Sequence, residues 1–287
     1  MSAIGSKVPW RERNGRFSPL KALVFAALFA PAAWCVFAAA TGAYDPKPVT
    51  ELIHRSGDWA IRLLGLSLLV TPLRKIADWP KLIAVRRMVG VASFAYASAH
   101  LALYVVDQKY DLVHVASEIA LRFYLTIGFV VFLGLAVLAA TSTDAMIRRL
   151  GAPAWNRLHK IVYGLAALAL LHFYLQSKAD VFEPVAMSGG YFALMAYRAL
   201  VKRGASALAA TAGALVSSVA LTALAEAAWI HFRRHYDFWD VLAANFDPDM
   251  FPRPAFYVAV GCVAALVVCF LRRRRAKPAS RVLAAAE

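Results

Sequence analysis

Long apolar runs interrupted by short charged segments dominate this chain. Residues 21–40, 123–140 and 161–175 are nearly free of charged side chains. Each run approaches the ~20 residues that an α-helix needs to cross a bilayer core of about 30 Å. The pattern predicts eight membrane helices, at about 20–41, 57–73, 88–106, 122–141, 158–177, 184–201, 205–230 and 254–271.

Composition and charge support a membrane protein. Of 287 residues, 61% are hydrophobic, more than a soluble core of this size requires. The net charge of +15 arises from cations clustered between the apolar runs, with no basic, aromatic-studded region typical of a nucleic-acid groove. We therefore expect membrane lipid and no nucleic acid as a partner. The cysteines, at positions 35, 262 and 269, lie within apolar runs and are interpreted as packing residues.

The distribution of lysine and arginine predicts the orientation. With the N-terminus in the cytoplasm, 23 of the 32 cations fall on the inner side. Both termini are then cytoplasmic. No loop exceeds roughly 25 residues, which leaves no room for a soluble flavin or nucleotide domain, and no glycine-rich phosphate loop is present. Any hydride chemistry must come from a partner.

Three of the seven histidines lie in predicted membrane helices, and four lie in loops or at helix ends: His54, His114, His231 and His235. The three are His100, His159 and His172. Ionisable side chains at membrane depth are costly, so they indicate a functional site.

His100 and His172 are expected at the same membrane depth. His100 lies fourteen residues after Arg86, about 21 Å along its helix, and His172 fifteen residues after Arg157, about 22 Å along a parallel helix. Two neutral imidazoles at one level can bind a haem iron from opposite faces if each second nitrogen has a hydrogen-bond partner. Polar candidates and room for a macrocycle occur near them, at Ser93, Tyr96, Ser98, Tyr104, Gly90 and Gly164.

His159 lies near the inner end of the fifth predicted helix. A second haem below the first would require a ligand near Arg86, which cannot bind iron, and an ideal helix places His159 and His172 about 140° apart. The role of His159 is left open: it is a ligand of a second haem, a contact of a flavin or quinone, or an interfacial side chain.

An ordered series of motifs gives the chain a family resemblance. They are ELIHRSGDWAIR at 51–62, VTPLR at 70–74, RRMVG at 86–90, YASAHL at 96–101, TSTDAMIRRLG at 141–151, WNRLHKIVY at 155–163 and LHFY at 171–174. The region from about 20 to 203 resembles the haem-binding membrane subunits of the bacterial periplasmic methionine-sulfoxide reductase system, the MsrQ (YedZ) family.

The resemblance implies an all-α membrane protein with a six-helix ferric-reductase-like transmembrane bundle in the bacterial inner membrane. It implies haem b, with FMN also associated with the family. His100, His159 and His172 occupy the family's histidine positions. The implied electron donor is the quinone pool or a cytoplasmic flavin reductase. The implied acceptor is a periplasmic molybdopterin-containing methionine-sulfoxide reductase subunit, the catalytic partner of a heterodimer in which this chain transfers electrons.

The chain extends beyond the six-helix pattern. We expect a basic cytoplasmic N-terminus at 1–19, the haem-binding domain at 20–203, and an extension at 204–287 with two further membrane helices and a basic tail. The outer loop of the extension, 231–254, combines aromatic residues with aspartates. Its role is left open between contact with lipid and contact with a periplasmic subunit.

Two other functions remain as alternatives. One is a different haem b electron-transfer subunit, of ferric-reductase or cytochrome b type. The other is a transporter or proton relay, for which Glu226 is the main buried carboxylate. Arg62 and Lys178 are candidates for binding haem propionates, although interfacial snorkelling also explains them. Arg86 and Arg87 are candidates for binding a flavin phosphate or quinone, although positive-inside anchoring also explains them.

Overall fold

The computed structural model describes residues 8–12, 14–177 and 180–283, with side chains described up to residue 274. In these residues the chain is helical and forms no strand beyond one isolated bridge between Arg11 and Phe17. The α-helices are α1 (Pro19–Ala27), α2 (Ala30–Ala40), α3 (Pro48–Ile76), α4 (Ile83–Asp107), α5 (Leu112–Leu121), α6 (Phe123–Ala140), α7 (Asp144–Leu150), α8 (Ala152–His159), α9 (Val162–Gln176), α10 (Phe182–Lys202), α11 (Ala207–Arg234), α12 (Phe238–Ala243) and α13 (Pro254–Leu283). Short 3-10 helices occupy Pro80–Leu82, Ala244–Phe246 and Pro248–Met250.

Six helical segments of the described chain are long and apolar enough to cross a membrane. They are Pro19–Ala40, Pro80–Asp107, Phe123–Ala140, Ala152–Gln176, Ala207–Arg234 and Pro254–Arg274. The all-α membrane fold predicted from the sequence is therefore confirmed. The other two predicted membrane helices lie on α3 and α10, which have 29 and 21 residues, and their crossing stays a prediction.

The chain divides into two compact units. The first comprises residues up to Ser67 together with Ala84–His172, and the second comprises Leu68–Ile83 and the residues from Phe173 onward. This division places α10 with the C-terminal helices, whereas the predicted domain border lies after residue 203. The border at 203 stays a prediction.

A tyrosine hydroxyl accounts for the break between α1 and α2 in the first unit. In a continuous helix the N–H of Ala32 would bond to the carbonyl of Leu28. The hydroxyl of Tyr96 on α4 instead accepts from the Ala32 N–H at 3.0 Å and donates to the Leu28 carbonyl at 2.8 Å. The first predicted membrane helix is thus two helices joined to α4 by one side chain.

Packing of α4 against α3 places the region around His100. Ser93 on α4 is fully buried, and its hydroxyl donates to the carbonyl of Ala60 on α3 at 2.8 Å. Val85 and Val89 on α4 and Leu63 and Leu64 on α3 are buried in the same unit. These apolar side chains are therefore covered, and the buried hydroxyl of Ser93 has its partner.

In the second unit, an arginine of α10 compensates for a proline. Pro72 lies inside α3 and has no N–H to offer the carbonyl of Leu68, four residues earlier. Arg198 of α10 donates to that carbonyl at 2.5 Å and to the carbonyl of Leu194 at 2.9 Å. The guanidinium thus satisfies a backbone group that the proline leaves without its helical bond.

A buried ion pair holds the segment between α11 and α13 in the second unit. Glu226 on α11 lies 2.9 Å from Arg253, just before α13, and accepts a bond of 3.3 Å from Asn245. The side chains of Glu226 and Arg253 are only 7% and 17% exposed. Because its charge is paired with a fixed arginine, Glu226 has the surroundings of a structural carboxylate.

Candidate functional site

His100 and His172 lie side by side in the first unit. His100 is on α4, His172 is on α9, and their ring centroids are 6.4 Å apart with the ring planes at 85°. The structure therefore brings together the two histidines that the depth argument places at one level.

Each imidazole is held by a backbone carbonyl of another helix. Nδ1 of His100 lies 2.8 Å from the carbonyl oxygen of Ile53 on α3, and Nδ1 of His172 lies 2.8 Å from that of Tyr124 on α6. A carbonyl oxygen only accepts hydrogen bonds, so each Nδ1 must carry the proton and donate it. In the neutral ring, Nε2 then presents its lone pair, and it is the nitrogen that can bind a metal.

The distance between the rings fits two axial ligands of one metal ion. A metal–imidazole nitrogen bond is about 2.0–2.1 Å, and the ring centre lies about 1.1 Å further, so a linear bis-imidazole arrangement has ring centres roughly 6.4 Å apart. The observed 6.4 Å has this value. Two neutral imidazoles, each oriented by a second hydrogen bond, are also the donor set that b-type haem requires. The residues present fit the group.

The hydrogen-bond partners of the two histidines were not among the polar residues selected from the sequence. Ser93 bonds to Ala60, Ser98 to the carbonyl of Phe94 in its own helix, and Tyr96 to Leu28. The carbonyls that orient the rings belong to residues whose side chains do not indicate, in the sequence, a role in orienting a ligand.

The glycines predicted to leave room for a macrocycle also lie away from the imidazoles. A Cβ on Gly90 would meet the Cβ of Ser67 at 4.0 Å, and a Cβ on Gly164 would meet nothing within 4 Å.

His159 has different surroundings. It is the last residue of α8, its ring stacks on Trp155 at 3.8 Å between centroids, and its Nε2 lies 3.1 Å from the hydroxyl of Thr141. In the described part of the chain, no group of three or more histidine, cysteine or acidic side chains forms a metal-binding cluster, so His159 does not join the pair. A turn at Lys160 and Ile161 separates α8 from α9, and the 140° spacing of an ideal helix therefore does not apply.

The cationic candidates have mixed surroundings. Arg87 forms an exposed ion pair with Asp144 at 2.5 Å, while Arg86 is an electrostatic neighbour of His159. The guanidinium of Arg62 lies over the ring of Trp59, 5.1 Å from its centroid. Lys178 lies outside the described residues.

Known proteins resemble the part of the chain that contains this site. Residues 56–170 match the family described as ferric reductase like transmembrane component. That match includes His100 and His159 and ends two residues before His172. No solved structure matches the chain.

Two curated relatives carry the name protein-methionine-sulfoxide reductase heme-binding subunit MsrQ. The protein of Caulobacter vibrioides is 38% identical over 177 residues, which cover 61% of this chain and 84% of the relative. The protein of Xanthomonas oryzae pv. oryzae is 40% identical over 192 residues, which cover 64% of this chain and 88% of the relative. With most of each relative covered at this identity, the chain belongs to the MsrQ family and is a multi-pass, ferric-reductase-like membrane protein.

Proposed function

We propose that this chain is the haem-binding membrane subunit of a protein-methionine-sulfoxide reductase system, in which His100 and His172 would hold haem b. The single observation that carries the proposal is the pair of imidazoles 6.4 Å apart, each with its Nδ1 proton held by a carbonyl. The names of the relatives supply the reaction system. When bound, haem b supplies one-electron transfer.

The residues of this chain bind and orient the group. Ile53 and Tyr124 fix the two imidazole rings through their carbonyls, so that both Nε2 atoms keep their lone pairs. The proposed haem-binding domain covers 20–203, and 204–287 is an extension of it.

The direction of electron transfer follows from the proposed topology. The cation distribution favours both termini in the cytoplasm of a bacterial cell with the chain in its inner membrane, which puts His100 and His172 in the outer half of the membrane. That depth suits a periplasmic acceptor, proposed as a molybdopterin-containing methionine-sulfoxide reductase subunit bound as a heterodimer. The proposed donor is the quinone pool or a cytoplasmic flavin reductase.

The inner half of the membrane has one candidate contact. His159, with Arg86 as its electrostatic neighbour, is proposed either as a ligand of a second haem or as a contact of FMN or a quinone. The hydroxyl of Thr141 and the ring of Trp155 are its partners in the structure.

A visible spectrum of the purified protein, oxidised and then reduced with dithionite, tests the haem proposal. We expect the sharp bands of low-spin, bis-histidine haem, lost in His100→Ala and in His172→Ala. His114→Ala, in a short helix outside the site, is the matched control and should keep the bands. A colourless preparation from haem-replete cells would overturn the proposal.

The family description also favours a second candidate, a haem b subunit that serves another acceptor, as in ferric reductases. The histidine pair would be the same, so the partner decides. Co-purification with a periplasmic molybdopterin subunit, and haem oxidation when that subunit and methionine sulfoxide are added, would support the methionine-sulfoxide reductase system. Reoxidation by ferric chelates alone would support the alternative.

A further inference from the structure

Two glycines border the imidazoles of His100 and His172. A Cβ on Gly57 of α3 would lie 3.0 Å from Nδ1 and 3.1 Å from Cε1 of His100. A Cβ on Gly128 of α6 would lie 2.7 Å from Cε1 and 2.9 Å from Nδ1 of His172. These distances are below the ordinary contact distance of carbon atoms, about 3.5–4.0 Å. The ring of His172 must therefore shift if Gly128 is replaced by a larger residue, and the ring of His100 must give by a few tenths of an ångström beside a larger residue at position 57.

The same spacing relates each glycine to the carbonyl that holds the ring. Gly57 follows Ile53 by four residues, and Gly128 follows Tyr124 by four residues. Residues four apart lie on one face of a helix, and a helical side chain covers the turn before its own Cα. A Cβ at the fourth residue would therefore cover the carbonyl oxygen that accepts the Nδ1 proton. Glycine leaves this oxygen open to a second hydrogen bond from another helix.

We propose that Gly57 and Gly128 are positioning residues for the haem ligands, each letting an imidazole lie across one helical turn and donate its Nδ1 proton to the carbonyl four residues earlier. This inference rests on the proposed function of His100 and His172. The two glycines lie on different helices and serve different histidines, so the same arrangement is built twice. It sets the tautomer and the ring orientation of both ligands with backbone atoms alone.

Other glycines in the same unit provide matched controls. Gly65 is also on α3, and a Cβ there would meet nothing within 4 Å. Gly134 is also on α6, and a Cβ there would lie 2.5 Å from a methyl group of Leu165, away from the histidines. Gly65→Ala tests the effect of the substitution itself, and Gly134→Ala tests steric strain that does not touch a ligand. Alanine has a higher helix propensity than glycine, so a weakened helix cannot explain a loss of haem in these variants.

The experiment measures haem retention and ligation in the full-length, detergent-purified protein. Haem per chain, the low-spin bands and the rate of haem transfer to apomyoglobin are compared for wild type, Gly57→Ala, Gly128→Ala, Gly65→Ala and Gly134→Ala. Loss of the hydrogen-bond partner of a metal ligand typically lowers the affinity for the metal by about 10–100-fold. We therefore expect the Gly128→Ala variant to lose haem at least ~10-fold faster than wild type, or to contain high-spin haem. Gly57→Ala should show the same change more weakly, because its overlap is smaller. Both controls should retain the low-spin bands.

The outcomes separate this inference from the proposed function. The absence of low-spin haem from the wild-type protein would overturn the proposed function. A wild-type protein with low-spin haem, together with glycine variants that match Gly65→Ala, overturns the positioning role alone. If Gly128→Ala cannot be purified, Gly57→Ala decides: faster haem loss than in Gly65→Ala supports the inference, and an equal rate overturns it.

Discussion

The imidazole planes of His100 and His172 are nearly perpendicular, at 85°. The angle follows from two hydrogen bonds that belong to different helices, because Ile53 orients one ring and Tyr124 the other. Neither ring can rotate without losing its Nδ1 bond. The relative orientation of the two proposed ligands is therefore a property of the protein.

Perpendicular axial imidazoles predict a characteristic electron paramagnetic resonance spectrum. An iron held by the two imidazoles with their planes at 85° would have the two d orbitals that overlap with the rings nearly equal in energy. We expect oxidised wild type at low temperature to show a strongly anisotropic low-spin signal dominated by one large g value. A rhombic signal typical of parallel imidazoles would contradict the ring arrangement, while the optical spectrum would still report bis-histidine haem.

The role of His159 is tested by counting haem. Because its Nε2 contacts Thr141 and its ring stacks on Trp155, we expect His159→Ala to keep the wild-type haem per chain and the low-spin bands. Pyridine haemochrome assays against protein concentration measure the ratio. A fall from about two haems to about one would assign His159 to a second haem. Thr141→Val, which removes the hydroxyl partner, is the matched conservative variant.

Much of the membrane fold could be predicted from the sequence because insertion depends on local composition. The apolar runs predicted α6 and α10 to within two residues at each end. Helical rise and the cation distribution predicted that His100 and His172 lie at one level, and the structure brings their rings to 6.4 Å from each other. These features require no knowledge of which helix packs against which.

Features that depend on a contact between distant residues could not be predicted. The break between α1 and α2 involves the hydroxyl of Tyr96, more than sixty positions away. The partners of the two Nδ1 atoms are backbone carbonyls, which every residue possesses. The only sequence signal is a glycine four residues later, and membrane helices contain glycines for many reasons. Gly57 and Gly128 become informative only once the imidazoles lie against them.

The ion pair between Glu226 and Arg253 predicts a large effect on stability. Glu226→Ala leaves Arg253 largely buried without its carboxylate, and breaking a buried pair costs about 3–5 kcal/mol. Denaturant unfolding in detergent, followed by tryptophan fluorescence, measures the change. Glu51→Ala removes the partner of Arg55 in an exposed pair four residues apart and should cost only about 0.3–0.5 kcal/mol. Equal losses of unfolding free energy in the two variants would contradict a larger stabilising effect of the buried pair.

The bond between Arg198 and the carbonyl of Leu68 predicts a coupling with Pro72. In wild type, Arg198→Leu leaves that carbonyl without a partner, because Pro72 has no N–H to replace the guanidinium. In a Pro72→Ala background, the restored N–H bonds to Leu68 within α3, so removal of the arginine should cost less. We expect the two costs to differ by about 1–3 kcal/mol, the penalty of one unsatisfied buried polar group.

A double-mutant cycle on unfolding in detergent measures this coupling. Lys202→Leu, an exposed cation at the end of the same helix, is the matched control, and its cost should be the same with Pro72 and with alanine at that position. Equal costs of Arg198→Leu in both backgrounds would contradict the role assigned to the guanidinium. A smaller cost with alanine at position 72, together with an unchanged control, would show that the arginine replaces the helical hydrogen bond that the proline removes.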